Sequence, residues 1–280
     1  MAMSCSLMAE PSPSASFTPN NNSRKRFVGL TERILLTILG GVLLINKNGN
    51  IVLVHNETNV NGHPIWSSNI SSTFFGDTFA KLQDTGNFVL TRNGGEQEVQ
   101  WQSFDYPHDA HISVMKLAVD RKTGFNWVYT SWKSPDDPGL GNVSLIMDPT
   151  GYPQAFMYIN GAPFWRGGSW TGQRLSGIPE MTTNFIFNIS FVDNGSEVSF
   201  TYSVMDPSIY IRTVVNHTGH VTRSIWQAKE NKWLQIWFTP REDCDKYRWC
   251  GSNCNCDPYN TYTFECVCLP GFEPTVRVEY

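Results

Sequence analysis

The segment Gly49-Asn50-Ile51-Val52-Leu53-Val54-His55-Asn56 returns as Gly86-Asn87-Phe88-Val89-Leu90-Thr91-Arg92-Asn93. Each copy is followed by Trp-x-Ser, at Trp66-Ser67-Ser68 and at Trp101-Gln102-Ser103. Self-similarity at this spacing means stacked β units, because one such unit cannot bury its apolar face alone. Within each copy a Gly-Asn turn opens an alternating run, which sends Ile51 and Leu53 to one side of a strand and Val52 and Val54 to the other. Units of this kind need at least three copies to close a core. Two are visible, so the opening part of this domain is expected to be missing or replaced by an atypical N-terminal segment.

Downstream the pattern becomes a run of hairpins. Phe185-Ile186-Phe187-Asn188-Ile189-Ser190-Phe191 alternates, Asp193-Asn194-Gly195-Ser196 supplies turn chemistry, and Val198-Ser199-Phe200-Thr201-Tyr202 returns. After Asp206-Pro207-Ser208 come two strands, 210–215 and 221–226, around His217-Thr218-Gly219-His220, then Trp233-Leu234-Gln235-Ile236-Trp237-Phe238. Apolar runs punctuated in this way by Gly, Pro, Asn and Asp predict an antiparallel meander. Aromatic residues at 13% suit pleated, half-buried surfaces, so the fold class expected is mainly β. A net charge of -4 gives no attraction for nucleic acid or an anionic membrane. The basic run Arg24-Lys25-Arg26 is read as a solvated tail.

Six of the seven cysteines crowd into one stretch: Cys244, Cys250, Cys254, Cys256, Cys266 and Cys268. Such a density marks a module too short to bury a core, which needs covalent staples. Cys254-x-Cys256 with Cys266-x-Cys268 also has the form of a four-thiolate zinc site. Asn-x-Ser/Thr sequons at Asn56, Asn69, Asn142, Asn188, Asn194 and Asn216, with a further one at Asn21, favour a glycosylated secretory product and hence disulfides over zinc. A secreted or cell-surface location is therefore expected, although no ordinary signal peptide opens the chain. Residues 1–23 are rich in Ser, Pro and Asn and read as disordered. The apolar run from Ile34 to Ile45 is too short to span a bilayer comfortably and reads as one or two buried strands. No membrane span is expected.

With repeat, meander and cysteine module in this order, the chain resembles the extracellular part of plant S-locus glycoproteins and G-type lectin S-receptor-like serine/threonine kinases. Trp101-Gln102-Ser103-Phe104-Asp105-Tyr106-Pro107, Met115-Lys116-Leu117 and Lys122-Thr123-Gly124 resemble the signature that closes the family's bulb-type lectin domain. Thr130-Ser131-Trp132-Lys133-Ser134-Pro135-Asp136-Asp137-Pro138, Trp165-Arg166-Gly167-Gly168-Ser169-Trp170-Thr171-Gly172 and Ser176-Gly177-Ile178-Pro179-Glu180-Met181 continue the likeness, which covers residues 43–274. It implies a partial β-prism lectin domain at 41–130, an S-locus glycoprotein domain with the antiparallel meander at 131–240, and an EGF-like module at 241–274. An atypical segment at 1–40 and a tail at 275–280 flank them.

The resemblance also assigns sites. It implies pairing of Cys244 with Cys256 and of Cys250 with Cys266, and leaves a Cys254–Cys268 bridge open. The family's lectin relatives bind mannose through Gln-x-Asp-x-Asn-x-Val-x-Tyr, in which amide and carboxylate groups hydrogen-bond sugar hydroxyls and the valine packs on the ring. Here Gln83, Asn87 and Val89 remain, but Thr85 and Thr91 stand in for Asp and Tyr. The earlier copy keeps Asn50 and Val52 only. The expectation is a degenerate carbohydrate site with weak or no mannose binding. His108 with His111, and His217 with His220, have the form of metal pairs, the second being read as solvated turn residues. No catalytic constellation, metal site or cofactor is predicted, and the kinase signatures His-Arg-Asp and Asp-Phe-Gly are absent. The implied role is recognition of an extracellular protein, peptide or glycan in pollen recognition or defence, with homo- or hetero-dimers of S-domain receptors as partners. The alternative reading is an inactive fragment of a receptor kinase.

Overall fold

The computed structural model describes residues 4–5, 27–28, 42–54, 64–71, 78–92, 98–181, 186–259 and 266–272. Near the N-terminus, β1 (Ser4–Cys5) and β2 (Phe27–Val28) pair antiparallel, so the segment read as disordered carries one short ladder. The two repeat copies then build two similar three-stranded sheets. One holds β3 (Val42–Ile45), β4 (Ile51–Val54) and β5 (Trp66–Ser67); the other holds β6 (Thr78–Leu82), β7 (Phe88–Arg92) and β8 (Val99–Gln102). Each hairpin turns on a glycine with positive φ, Gly49 at 74° and Gly86 at 86°. A Cβ on Gly86 would lie 2.9 Å from the Ile112 side chain, so conformation and space both demand glycine there. All four residues of β4 are buried. The alternation predicted two faces, and the structure covers both. Trp66 meets Trp101 edge-on at 5.7 Å, and Trp101 with Ile51 and Leu90 forms the small core of this part.

Eleven further strands form three antiparallel sheets around one larger core. They are β9 (Ala110–Ile112), β10 (Lys116–Asp120), β11 (Tyr129–Ser134), β12 (Asp137–Asp148), β13 (Gln154–Ile159), β14 (Ala162–Ser169), β15 (Phe187–Asp193), β16 (Glu197–Val204), β17 (Ile211–Val215), β18 (Val221–Gln227) and β19 (Lys232–Thr239). The sheet orders are β10-β16-β15, β11-β12-β13-β14 and β19-β18-β17-β9. Alternation does the packing: Val143, Leu145 and Met147 of β12 point inward and are buried, with the intervening residues half-exposed. Val198, Phe200 and Tyr202 of β16 meet them in the same core.

The hairpins expected from the sequence form, but not as one continuous meander. β15 and β16 join β10, whereas β17, β18 and β19 join β9. The change of sheet falls at the turn where Ile209 N–H donates to Asp206 O, and Pro207 within it has no N–H to continue a ladder. The buried Tyr202 hydroxyl sits at the corner, its one proton shared between His111 O at 3.0 Å and, more weakly, Ile211 O at 3.4 Å. β9 and β10 precede residue 130, yet both complete sheets built by residues 187–239. The sheets thus run across the boundary expected there.

The cysteine module packs beside β14. Tyr247 N–H donates to Phe164 O at 2.7 Å and the Tyr247 ring meets Phe156 edge-on at 5.3 Å. Disulfides join Cys244 to Cys256 and Cys250 to Cys266. The strands β20 (Cys254–Cys256) and β21 (Cys266–Cys268) pair so that Cys254 lies opposite Cys268, and the Cys254 thiol donates to Ser252 O at 3.5 Å. Among the described residues no helix is long and apolar enough to cross a membrane.

Candidate functional site

The repeat places its two asparagines identically, and it uses them up. Asn50 Oδ1 accepts from Ile70 N at 2.6 Å and from Ser68 Oγ at 3.0 Å, while Ser68 Oγ accepts from Ile51 N at 3.1 Å. In the second copy Asn87 Oδ1 accepts from Ser103 Oγ at 3.1 Å and Phe104 N at 3.3 Å, and Ser103 Oγ accepts from Phe88 N at 2.9 Å. Asn87 Nδ2 donates to Gln102 Oε1 at 2.9 Å. The serine of each Trp-x-Ser thus ties its strand to the asparagine of the neighbouring one. The sequence displayed both residues of this clamp but not that they bond. Both asparagines are buried, as are Val52 and Val89. Gln83 is half-buried at the turn, where its backbone closes the loop with Asn87 and Gly86. Of the five residues expected to face a sugar, only the Gln83 amide is left uncommitted among the described residues.

The histidine pairs do not assemble. His108 and His111 are both buried but hold separate partners, His108 Nδ1 lying 3.5 Å from Asp109 and the His111 Nε2–H donating to Met115 O at 2.9 Å. His217 is exposed, and His220 Nδ1 lies 3.1 Å from Thr218 Oγ1 within the turn. The sulfurs of Cys250, Cys256 and Cys266 lie within 4.8 Å of one another, but all three are held in disulfides. No thiolate among them remains to ligate zinc. Of the sequon asparagines, Asn69, Asn142, Asn188 and Asn194 are exposed, Asn216 is half-buried at its turn, and Asn56 and Asn21 lie outside the described residues.

The second part of the molecule holds a feature the sequence did not disclose. His111 on β9, Thr213 on β17, Arg223 on β18 and Trp237 on β19 are successive register partners across one sheet. Partners in an antiparallel ladder share a face, so these four side chains form a row, and it points into the core. There it borders a cavity of about 210 Å³ walled by Leu117, Leu145, Ala155, Trp165 and Phe200. Burial pushes the His111 imidazole down to about 4, with the nearby Arg223 charge acting in the same direction, so the ring is neutral at pH 7. Burial also lowers Arg223, but an arginine's ordinary value is too high for this to discharge it. Its Nε donates to Thr213 Oγ1 at 3.1 Å, and its guanidinium lies over the rings of Phe187 and Tyr202 at 5.3 and 5.0 Å.

Two family models match the chain: D-mannose binding lectin over residues 34–133 and S-locus glycoprotein domain over 165–276. The chain is 45% identical, over 84% of its length and 28% of the relative's, to the G-type lectin S-receptor-like serine/threonine-protein kinase RKS1 of Arabidopsis thaliana. It is 40% identical, over 90% of its length and 31% of the relative's, to the G-type lectin S-receptor-like serine/threonine-protein kinase At1g11410 of the same plant. To the G-type lectin S-receptor-like serine/threonine-protein kinase SRK, also of Arabidopsis thaliana, it is 35% identical over 84% of its length and 27% of the relative's. The chain thus spans less than a third of the length of these relatives, and the matched domains do not include a kinase. It carries a D-mannose binding lectin domain followed by an S-locus glycoprotein domain, and its relatives over most of its length are G-type lectin S-receptor-like serine/threonine-protein kinases.

Proposed function

We infer that the chain is a recognition module of the cell surface, which works by contact with a ligand or partner receptor and carries out no catalysis of its own. The observation that supports this most is the pairing of a lectin domain with an S-locus glycoprotein domain in one chain. The two disulfides and the exposed sequon asparagines Asn69, Asn142, Asn188 and Asn194 suit maturation in an oxidising, glycosylating compartment. Partner binding, as homo- or hetero-dimers with other S-domain receptors, is a better fit than mannose binding. In the two Gln-x-x-x-Asn-x-Val-like runs the asparagines are buried with their side-chain oxygens internally hydrogen-bonded, and the valines are buried, which leaves a mannose ring little to hold.

The test is secretion of the chain from plant cells behind an added leader, followed by glycan mapping, a mannoside array and co-precipitation with S-domain receptors. Glycans at the exposed sequons with receptor capture support the reading. A protein that stays unglycosylated and reduced, or that captures no receptor and binds mannosides tightly, overturns it.

A further inference from the structure

The cavity beneath the sheet β19-β18-β17-β9 joins two properties seldom found together. Its walls are apolar, yet a guanidinium lines it. Among the described residues, Arg223 forms one hydrogen bond, from Nε to Thr213 Oγ1, together with its two ring contacts, and its terminal nitrogens engage no carboxylate or carbonyl. A half-buried cation in apolar surroundings, with no counter-charge, carries a desolvation cost that an apolar replacement would avoid. Core packing alone does not account for an arginine here.

The carboxylate that lines the same cavity does not reach Arg223, because it is engaged at the entrance. Glu180 Oε1 lies 2.8 Å from Arg241 Nη2, and Glu180 Oε2 accepts from Trp237 Nε1 at 3.3 Å. Both members of the Glu180–Arg241 pair are about half exposed, and Ile236 beside them is 47% exposed. The entrance therefore opens to solvent through side chains on the surface, while the guanidinium stays inside.

We propose that this cavity binds a small amphipathic carboxylic acid, its carboxylate on the free edge of Arg223 and its apolar body among Leu117, Leu145, Ala155, Trp165 and Phe200. A carboxylate accepts from a guanidinium through two parallel hydrogen bonds, which is the geometry the terminal nitrogens offer. Size sets the class: an apolar cavity of about 150 Å³ holds benzene, so this one takes a body of roughly eight to ten non-hydrogen atoms. A short aromatic or medium-chain acid fits; a sugar, polar on every face, does not. The neutral His111 at the end of the row adds no second charge to attract a dianion. Binding here is separate from the partner and glycan reading above, and its failure would leave that reading intact.

The experiment uses the secreted chain and its own tryptophans, since Trp165 and Trp237 both line the cavity. Fluorescence titration with 3-phenylpropionate and octanoate is expected to saturate with Kd on the order of 0.1 mM, a value set by ligand size. The matching alcohols should bind at least about ten-fold more weakly, and 3-phenylpropylamine should not bind, because only the acid satisfies the guanidinium. Arg223→Met keeps the shape and removes the unpaired charge; it should fold and lose the preference for acid over alcohol. Equal affinity for acid and alcohol, or no saturation by either acid to about 10 mM, a hundred times the expected Kd, overturns the proposal. Should Arg223→Met fail to fold, the acid, alcohol and amine series on the unaltered protein decides alone.

Discussion

His111 gives the folded state a defined sensitivity to acid. Its ring is fully enclosed between Tyr129 and Tyr202, with centroids 5.1 and 5.0 Å away, and the one proton it carries is donated to Met115 O. Protonating the second nitrogen would bury a charge, and beside Arg223, which is why the folded-state pKa lies near 4 and not at the ordinary 6.5 of a histidine. In the unfolded chain the ring takes a proton as pH falls through about 6.5, while in the folded chain it resists until about 4. The unfolded state therefore binds more protons between these values, and stability falls as pH drops through that window. At about 1.36 kcal/mol for each pH unit, this residue alone removes about 2 kcal/mol at pH 5 and about 3 kcal/mol at pH 4, relative to pH 7. His111→Gln retains a donor for Met115 O and cannot titrate. Urea unfolding of both proteins from pH 7 to pH 4 isolates the histidine, because every carboxylate is common to the two. The variant's curve should fall less steeply by the amounts given. Parallel curves over the whole window would refute the assignment and imply that acid opens this core without passing through His111.

Three other perturbations test the fold. Ser103→Ala removes the fully buried hydroxyl that joins Phe88 N to Asn87 Oδ1; with Asn87 buried and Phe88 half-buried, unfolding free energy should drop by about 1–3 kcal/mol in denaturant titration. Val114 is β-branched at φ 62° and exposed, so Val114→Asn relieves strain at no loss of packing and should raise stability by about 1 kcal/mol in the same assay. Replacing Cys250 and Cys266 together by Ser opens a link of sequence separation 16 and should destabilise the C-terminal module by about 3 kcal/mol, seen as earlier proteolysis within residues 244–268.

What the sequence disclosed and what it withheld divide along a physical line. Hairpins were legible because both of their signals are local: period-two alternation along Phe187–Asp193 and Glu197–Val204, and turn chemistry at Asn194 and Gly195 between them. Sheet membership was not legible. Pairing Leu117 with Phe200 or His111 with Thr213 brings together residues some eighty to a hundred positions apart, and nothing beside either residue records its partner. The same limit governed the sites. Asn50, Asn87, Ser68 and Ser103 were all visible as parts of a repeat, but a sugar-binding amide and a strand-clamping amide have the same local sequence. Arg223 falls within the strand expected at 221–226, and no neighbour in sequence sets it apart. That it faces inward, and that His111, Thr213 and Trp237 line up with it, follows only from the register of four strands.

The two parts of the chain use polar side chains in opposite ways, and this bears on where recognition resides. In the repeat, Asn50 Oδ1 and Asn87 Oδ1 each accept two hydrogen bonds from the neighbouring segment, so these amide oxygens hold the scaffold and are closed to a ligand. In the three-sheet part, the Arg223 fork is held at Nε alone and faces a cavity. A donor satisfied within the protein contributes to stability; one left over contributes to binding, because its desolvation has already been met by folding. By that argument, discrimination among small ligands belongs to the second part, and substitutions in the repeat should alter stability without altering ligand choice. Ser103→Ala and Arg223→Met are expected to separate these effects: the first lowers stability and leaves the acid-over-alcohol preference in place, and the second removes the preference with stability kept or raised. If Ser103→Ala abolished the preference while the core stayed folded, the division of labour between the two parts would be false.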